Sequence, residues 1–208
     1  MSTAEQIQFI SVDDYFRLEE RSTARNEYVN GWIRAMTGAT NRHNDIAVRI
    51  LISLGKKLAG KGCKPCNSDT KIRIRHDSAT WFYYPDVSVV CESNRPTELF
   101  QDRPVLIVEI LSQSTRAIDL DEKMTAYLTI DSLQSYVLLE QDKPYAIVFR
   151  RTEAGFLREV FEGLAASIHL PFLACELAFK EVYDGIEFSL PALQEPAAEY
   201  QTSGDTAN

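Results

Sequence analysis

Glu109 is the residue whose setting most demands a chemical explanation: it lies within Val105-Leu106-Ile107-Val108-Glu109-Ile110-Leu111, a run otherwise built for burial. Desolvating an unpaired carboxylate costs several kcal/mol, so Glu109 must be protonated, paired with a cation or bound to a metal, unless it reaches solvent at a strand end. Asp86 opens another apolar run directly after Pro85. Pro sets the chain direction at a strand entrance, and Pro-Asp is also a common turn start. Two carboxylates from neighbouring strand ends, with a main-chain carbonyl such as that of Ile110, are the hard oxygen ligands that Mg²⁺ or Mn²⁺ prefers. Lys123 follows on a helical stretch, with Asp119 one turn before it and Tyr127 one turn after, on the same face. An exposed Asp119–Lys123 pair contributes only about 0.3–0.5 kcal/mol. Packed over the strand end, Lys123 could instead orient a metal-bound water or stabilise charge developing on a phosphate. Glu27, in a short strand, and His43, at a helix start, complete the set; taken singly, each is equally explained by solvation, packing or capping.

The elements that position these residues follow from periodicity. Ser11 is a candidate N-cap for a helix reaching about residue 21. Residues 26–37 read as two strands around Asn30-Gly31, a dipeptide that tolerates the positive φ of a two-residue hairpin. Over residues 44–58 apolar side chains recur at three- and four-residue spacing, predicting an amphipathic helix with one buried face. Residues 69–76 alternate, with Ile72 and Ile74 on one face and Lys71, Arg73 and Arg75 on the other. Residues 86–91 and 105–111 read as central strands covered on both faces, and residues 119–130 as an amphipathic helix. Strands at 135–139 and 145–150 complete a pattern organised around one sheet. The expected fold class is α/β (α+β), a central mixed β-sheet flanked by helices, forming a single domain over residues 1–190. Residues 191–208 carry no periodicity and read as a mobile tail.

With 208 residues, 45% hydrophobic and 25% charged, the chain suits one soluble domain and excludes wholesale disorder, a collagen-like repeat and a small disulfide scaffold. A net charge of -8 argues against a generic DNA-coating protein unless basic residues gather locally. They do so between Lys56 and Arg75, where Lys71, Arg73 and Arg75 offer either a phosphate-contacting face or an ordinary solvated strand edge. Trp81, Phe82, Tyr83 and Tyr84, just before Asp86, could stack bases or serve as core or dimer contacts. No membrane span or signal-peptide order is evident, so a cytoplasmic protein is expected. Cys63 and Cys66 form a C-x-x-C in what reads as a polar turn, while Cys91 and Cys175 stand alone, predicting reduced thiols.

Taken together, Glu27-Tyr-Val-Asn-Gly31, His43, Pro85-Asp86-Val87, Val108-Glu109-Ile110-Leu111-Ser112, Thr115 and Asp119 followed by Lys123 and Tyr127 resemble the Uma2 family of the PD-(D/E)xK, restriction-endonuclease-like superfamily, over roughly residues 11–183. The resemblance implies a restriction-endonuclease-like core and a Mg²⁺-dependent (or Mn²⁺-dependent) endonuclease, a hydrolase cutting phosphodiester bonds of nucleic acid, most readily DNA. It implies metal binding by Asp86, Glu109, Glu27 and the Ile110 carbonyl. Lys123 would stand in for the lysine missing two residues after Glu109, where the chain has Leu111; His43, Asp119 and Tyr127 support them. It also implies a homodimer, since cutting two strands often uses two sites. The competing expectation is a catalytically idle member that binds nucleic acid or a protein, with Glu109 merely paired to Lys123.

Overall fold

A computed structural model describes residues 9–188. The tail expected over residues 191–208 lies outside them. The elements, in chain order, are α1 (Val12–Glu19), β1 (Asn26–Val29), β2 (Trp32–Ala35), α2 (Asn41–Leu58), β3 (Lys64–Asn67), β4 (Lys71–His76), β5 (Ala79–Tyr83), β6 (Val87–Val90), β7 (Phe100–Gln101) and β8 (Pro104–Leu111). There follow α3 (Arg116–Leu120), α4 (Glu122–Tyr127), β9 (Ser135–Glu140), β10 (Tyr145–Thr152), β11 (Gly155–Glu162), β12 (Ser167–Leu170), β13 (Cys175–Ala178) and α5 (Phe179–Val182). No described helix is long and apolar enough to cross a membrane.

The strands divide between two main sheets, where the sequence pattern suggested one. A five-stranded sheet runs β2-β1-β5-β4-β7, a six-stranded sheet runs β11-β10-β9-β8-β6-β3, and β12 pairs with β13. In the six-stranded sheet β8 and β9 are parallel and the other pairs antiparallel, so the sheet is mixed. The period of two along β8 explains the core. Leu106, Val108 and Ile110 face one way, packing with Ile46, Ile50, Leu54 and Leu58 of α2. Ile107 and Leu111 face the other way, against Ile72, Ile74 and Tyr83 of the five-stranded sheet and Ala126 and Tyr127 of α4. Glu109 shares that second face, so strand alternation alone delivers a carboxylate to the space between sheets.

Local signals set the element boundaries. Ser11 caps α1, its hydroxyl accepting from the Asp14 N–H. The Thr40 hydroxyl accepts from the His43 N–H, which starts α2 at Asn41, three residues before the expected start at residue 44. Asn30 and Gly31 both take positive φ (45° and 98°), and the tight turn places Glu27 opposite Arg34. The helix expected over 119–130 breaks at Asp121, whose φ of -127° and ψ of -78° are non-helical, leaving α3 and α4 as separate short helices.

Three expectations are corrected by packing. Residues 64–67 form β3 and not a polar turn; its antiparallel register sets Lys64 opposite Val90, which brings Cys63 against Cys91 as a disulfide, with Cys66 and Cys175 free. The alternation along β4 is as read, but its basic face is not free. Lys71 is buried beneath α1, 3.3 Å from Glu19 and ringed by Tyr15, Phe16 and Tyr84. Arg73 is bidentate to Asp102 (2.7 Å for each bond) and stacks on Phe100. Lys71 and Arg73 are therefore withdrawn from a nucleic-acid-binding face, and only Arg75 of the three stays exposed. Base stacking is likewise withdrawn for Phe82 and Tyr83, which are fully buried, Phe82 with Tyr15 and Tyr28 and Tyr83 against Tyr127.

The Arg73–Asp102 fork has a measurable signature. Burial alone would raise the Asp102 carboxyl, but the Arg73 guanidinium and the Asn94 amide outweigh it and hold it below its ordinary value. A lowered folded-state value stabilises above the unfolded carboxyl range, and the gain is lost as pH falls through the folded value. Asp102→Asn is expected to cost roughly 1 kcal/mol at neutral pH. The gap from wild type should close in strong acid, as urea unfolding at the two pH values would register.

Candidate active site

Glu109 and Asp86 are joined through the main chain. The Asp86 N–H donates to Glu109 Oε2 (3.2 Å) and the Ile110 N–H donates to Asp86 Oδ2 (2.7 Å). The β6–β8 pairing sets Val87 opposite Val108, so Asp86 and Glu109 meet just past the end of that ladder, while β8 runs on beside β9 to Leu111. His43, at the start of α2, places Nε2 3.0 Å from Asp86 Oδ2. Burial alone would lower the imidazole, but Asp86 and the nearby Ile110 carbonyl outweigh it and raise it above its usual value.

Lys123 enters from α4, and no lysine stands two residues after Glu109, where the chain has Leu111. Leu111 is 2% exposed and lies in the core between the sheets. Lys123 Nζ sits among three carboxylates: Glu27 Oε1 at 3.0 Å, Glu109 Oε1 at 3.2 Å and Asp119 Oδ1 at 3.4 Å. The Tyr127 hydroxyl also donates to Glu109 Oε1. Burial opposes charge on Lys123, yet the three carboxylates prevail and push its affinity for the proton above that of a free lysine, so it stays an ammonium ion. Glu109 goes the other way. Burial dominates, and the carboxylates of Asp86, Asp119 and Glu27 add repulsion that Lys123 does not cancel, so its carboxyl is raised well above the ordinary range. Asp119 is raised for the same reason, burial first.

The geometry revises one expectation and adds residues the pattern did not single out. Glu27 has both oxygens engaged by cations of the chain, Oε2 by Arg34 (2.7 Å) and Oε1 by Lys123. It acts as a holder of Lys123 before it can act as a metal ligand. Arg34 continues to Glu122 at 2.9 Å, and Glu122 accepts from the Tyr83 hydroxyl. Arg34 was findable, because a two-residue turn at Asn30-Gly31 dictates the Glu27–Arg34 opposition; Glu122 and Tyr83 carried no comparable signal.

Glu27, Arg34, His43, Asp86, Glu109, Asp119 and Lys123 line a cleft of about 360 Å³ whose wall includes Arg25, Thr37, Thr40, Ser112 and Thr115. Five carboxylates, those of Glu27, Asp86, Glu109, Asp119 and Glu122, cluster with two permanent cations, Arg34 and Lys123, while Arg25 on the wall is engaged by Asp69 at 2.7 Å. Glu27 Oε1 and Asp119 Oδ1 are buried and share the single Lys123 ammonium, at 3.0 and 3.4 Å, with no further partner among the described residues. This deficit of positive charge is what a divalent cation would relieve. No three His, Cys, Asp or Glu side chains among the described residues are spaced to cage a metal. Mg²⁺, however, is commonly held by one or two carboxylates and keeps several waters. The donor set of Asp86, Glu109 and the Ile110 carbonyl fits that mode.

A mixed sheet in which the entrance of one strand and the interior of its neighbour bring two carboxylates together beside a buried lysine defines a restriction-endonuclease-like α/β domain. A crystal structure described as a putative nuclease belonging to DUF820, from Anabaena variabilis, shares the fold with a TM-score of 0.68 at 18% identity, covering 84% of this chain and 97% of that one. The model of the Uma2 family, described as "Putative restriction endonuclease", matches residues 12–180, and the chain belongs to that family. Two uncharacterized proteins of Synechocystis sp. are similar to it. One is 31% identical over 180 residues, covering 86% of this chain and 94% of the relative. The other is 30% identical over 135 residues, covering 64% and 75%.

Proposed function

We propose that this chain is a metal-dependent endonuclease that hydrolyses phosphodiester bonds of nucleic acid, most readily DNA. The observation that carries the reading is the joined Asp86–Glu109 carboxylate pair beside a buried ammonium at the floor of a cleft. Asp86, Glu109 and the Ile110 carbonyl would hold Mg²⁺ or Mn²⁺. Bound there, the metal would supply polarisation of the scissile phosphate and a lowered pKa for a bound water. The chain's own groups do the rest. The Ile110 N–H and His43 fix the orientation of Asp86, and the Asp86 N–H fixes Glu109. Lys123 keeps its proton, so at Nζ it serves as a hydrogen-bond donor and fixed positive charge, orienting the attacking water and countering charge on the phosphate, not as a base. Glu27 and Asp119 keep the ammonium in place.

One observation favours a second reading: Lys123 already occupies the centre of three carboxylates, as it would in an idle fold that binds nucleic acid or a protein. Calorimetric titration of Mg²⁺ and Mn²⁺ into the wild type and Asp86→Asn, beside incubation with DNA and RNA, separates the two. The nuclease predicts metal binding weakened at least about tenfold by the substitution, and cleavage that depends on metal. A wild type that binds neither metal returns the site to the idle reading.

A further inference from the structure

β11 forms the outer edge of the six-stranded sheet, bonded to β10 on one side in unbroken register from Gly155 to Glu162. Among the described residues no backbone group pairs with its other side. Open edges recruit further strands, and proteins blunt them with lysine, proline, bulges or a covering segment. β11 has no lysine or proline, and it exposes Leu157 and Val160 at 55% and 46%. Arg158 and Glu162 are also exposed, make no ion pair among the described residues, and flank Val160 on one face. Four residues apart along a strand, they stand about 13 Å from each other and cannot pair within one chain.

We propose that β11 is a self-recognition edge, occupied by the β11 of a second copy of this chain running antiparallel to it. Residues directly opposed in an antiparallel pair share a face, so a two-fold axis must pass through a residue and few registers exist. Centring on Arg158 opposes two guanidinium groups, and centring on Glu159 opposes two carboxylates. Centring on Leu157 or Phe161 leaves Arg158 and Glu162 unmatched. Centring on Val160 sets the two Val160 side chains against each other and Arg158 of each copy opposite Glu162 of the other, on both sides of the axis. The two sheets become one of twelve strands. β9 and β10 separate this edge from β8, so each copy keeps its own complete cleft.

Sedimentation velocity over a concentration series tests the register. The wild type is expected to double its mass from 23.6 kDa. Arg158→Glu and Glu162→Arg each place like charges opposite one another twice, and each should raise the dimer dissociation constant by about a hundredfold. An equimolar mixture of the two variants restores both oppositions and should form a dimer of one copy of each. Unchanged near-UV circular dichroism shows that the variants are folded. A wild type that is monomeric throughout, a dimer indifferent to both reversals, or variants that stay monomeric when mixed overturns the proposal. If the wild-type monomer dimerises once residues 191–208 are removed, the proposal falls too, and the edge belongs to the chain's own last residues.

Discussion

Lys123→Met is expected to destabilise the domain by about 3–5 kcal/mol, a large part of the 5–15 kcal/mol typical of a whole domain. Methionine fills a similar volume, so the loss is electrostatic. Glu27, Glu109 and Asp119 lie within 3.4 Å of the missing ammonium and are themselves 6% exposed or less at the side chain. Among the described residues, Arg34 on Glu27 would be the one cation left to balance them. The sign of the pH dependence follows from Glu109, whose carboxyl is raised chiefly by burial. A carboxyl raised in the folded state brings no penalty at low pH; the penalty starts above the unfolded carboxyl range and grows until the folded group ionises. Removing Lys123 takes away the main opposing influence and extends that penalty to higher pH. Urea unfolding should show the deficit of Lys123→Met shrinking in mild acid and widening in alkali. Adding Glu109→Gln to the same variant should recover part of the loss, because it deletes one of the stranded charges. A loss under about 1 kcal/mol with no pH trend would mean the ammonium is not what holds the carboxylates together.

How much of this was legible beforehand depended on the range of each interaction. The core strands at β6 and β8, the amphipathic α2 and the Asn30-Gly31 hairpin are written in local periodicity and turn chemistry, which the chain carries on its face. Glu109 was legible as a misplaced charge, and Asp119, Lys123 and Tyr127 as a helical stripe, even though Asp121 breaks that helix in two. The second sheet was not legible, since nothing in the alternation of β4 says which sheet it joins or that α1 will cover Lys71. The Cys63–Cys91 pair depends on the β3–β6 register over 28 residues of separation, which the cysteine spacing, read as reduced thiols, does not carry. Glu122 joins the site only through Arg34 and Tyr83, contacts that exist once the two sheets have packed.

Glu109→Gln should separate stability from activity. In the wild type the residue is 3% exposed and its carboxyl is raised by burial and by the carboxylates around it, so its ionised form weighs against folding at neutral pH. Glutamine removes that cost. It also keeps only one carbonyl oxygen, so it cannot accept from both the Asp86 N–H and the Lys123–Tyr127 pair, at a cost of about 1–2 kcal/mol for the unmet donor. The two effects oppose, and urea unfolding is expected to move by no more than about 1.5 kcal/mol in either direction. Phosphodiester cleavage behaves differently, because Glu109 would be one of only two carboxylates holding the metal. Loss of that ligand should reduce single-turnover cleavage by about a thousandfold or more and weaken Mn²⁺ binding in the same preparation. A residue retained for packing would show the opposite pattern, a clear fall in stability with metal affinity intact, and that result would favour the idle fold in which Glu109 serves only Lys123. A carboxylate that the fold can spare and cleavage cannot is one kept in the sheet interior for its chemistry.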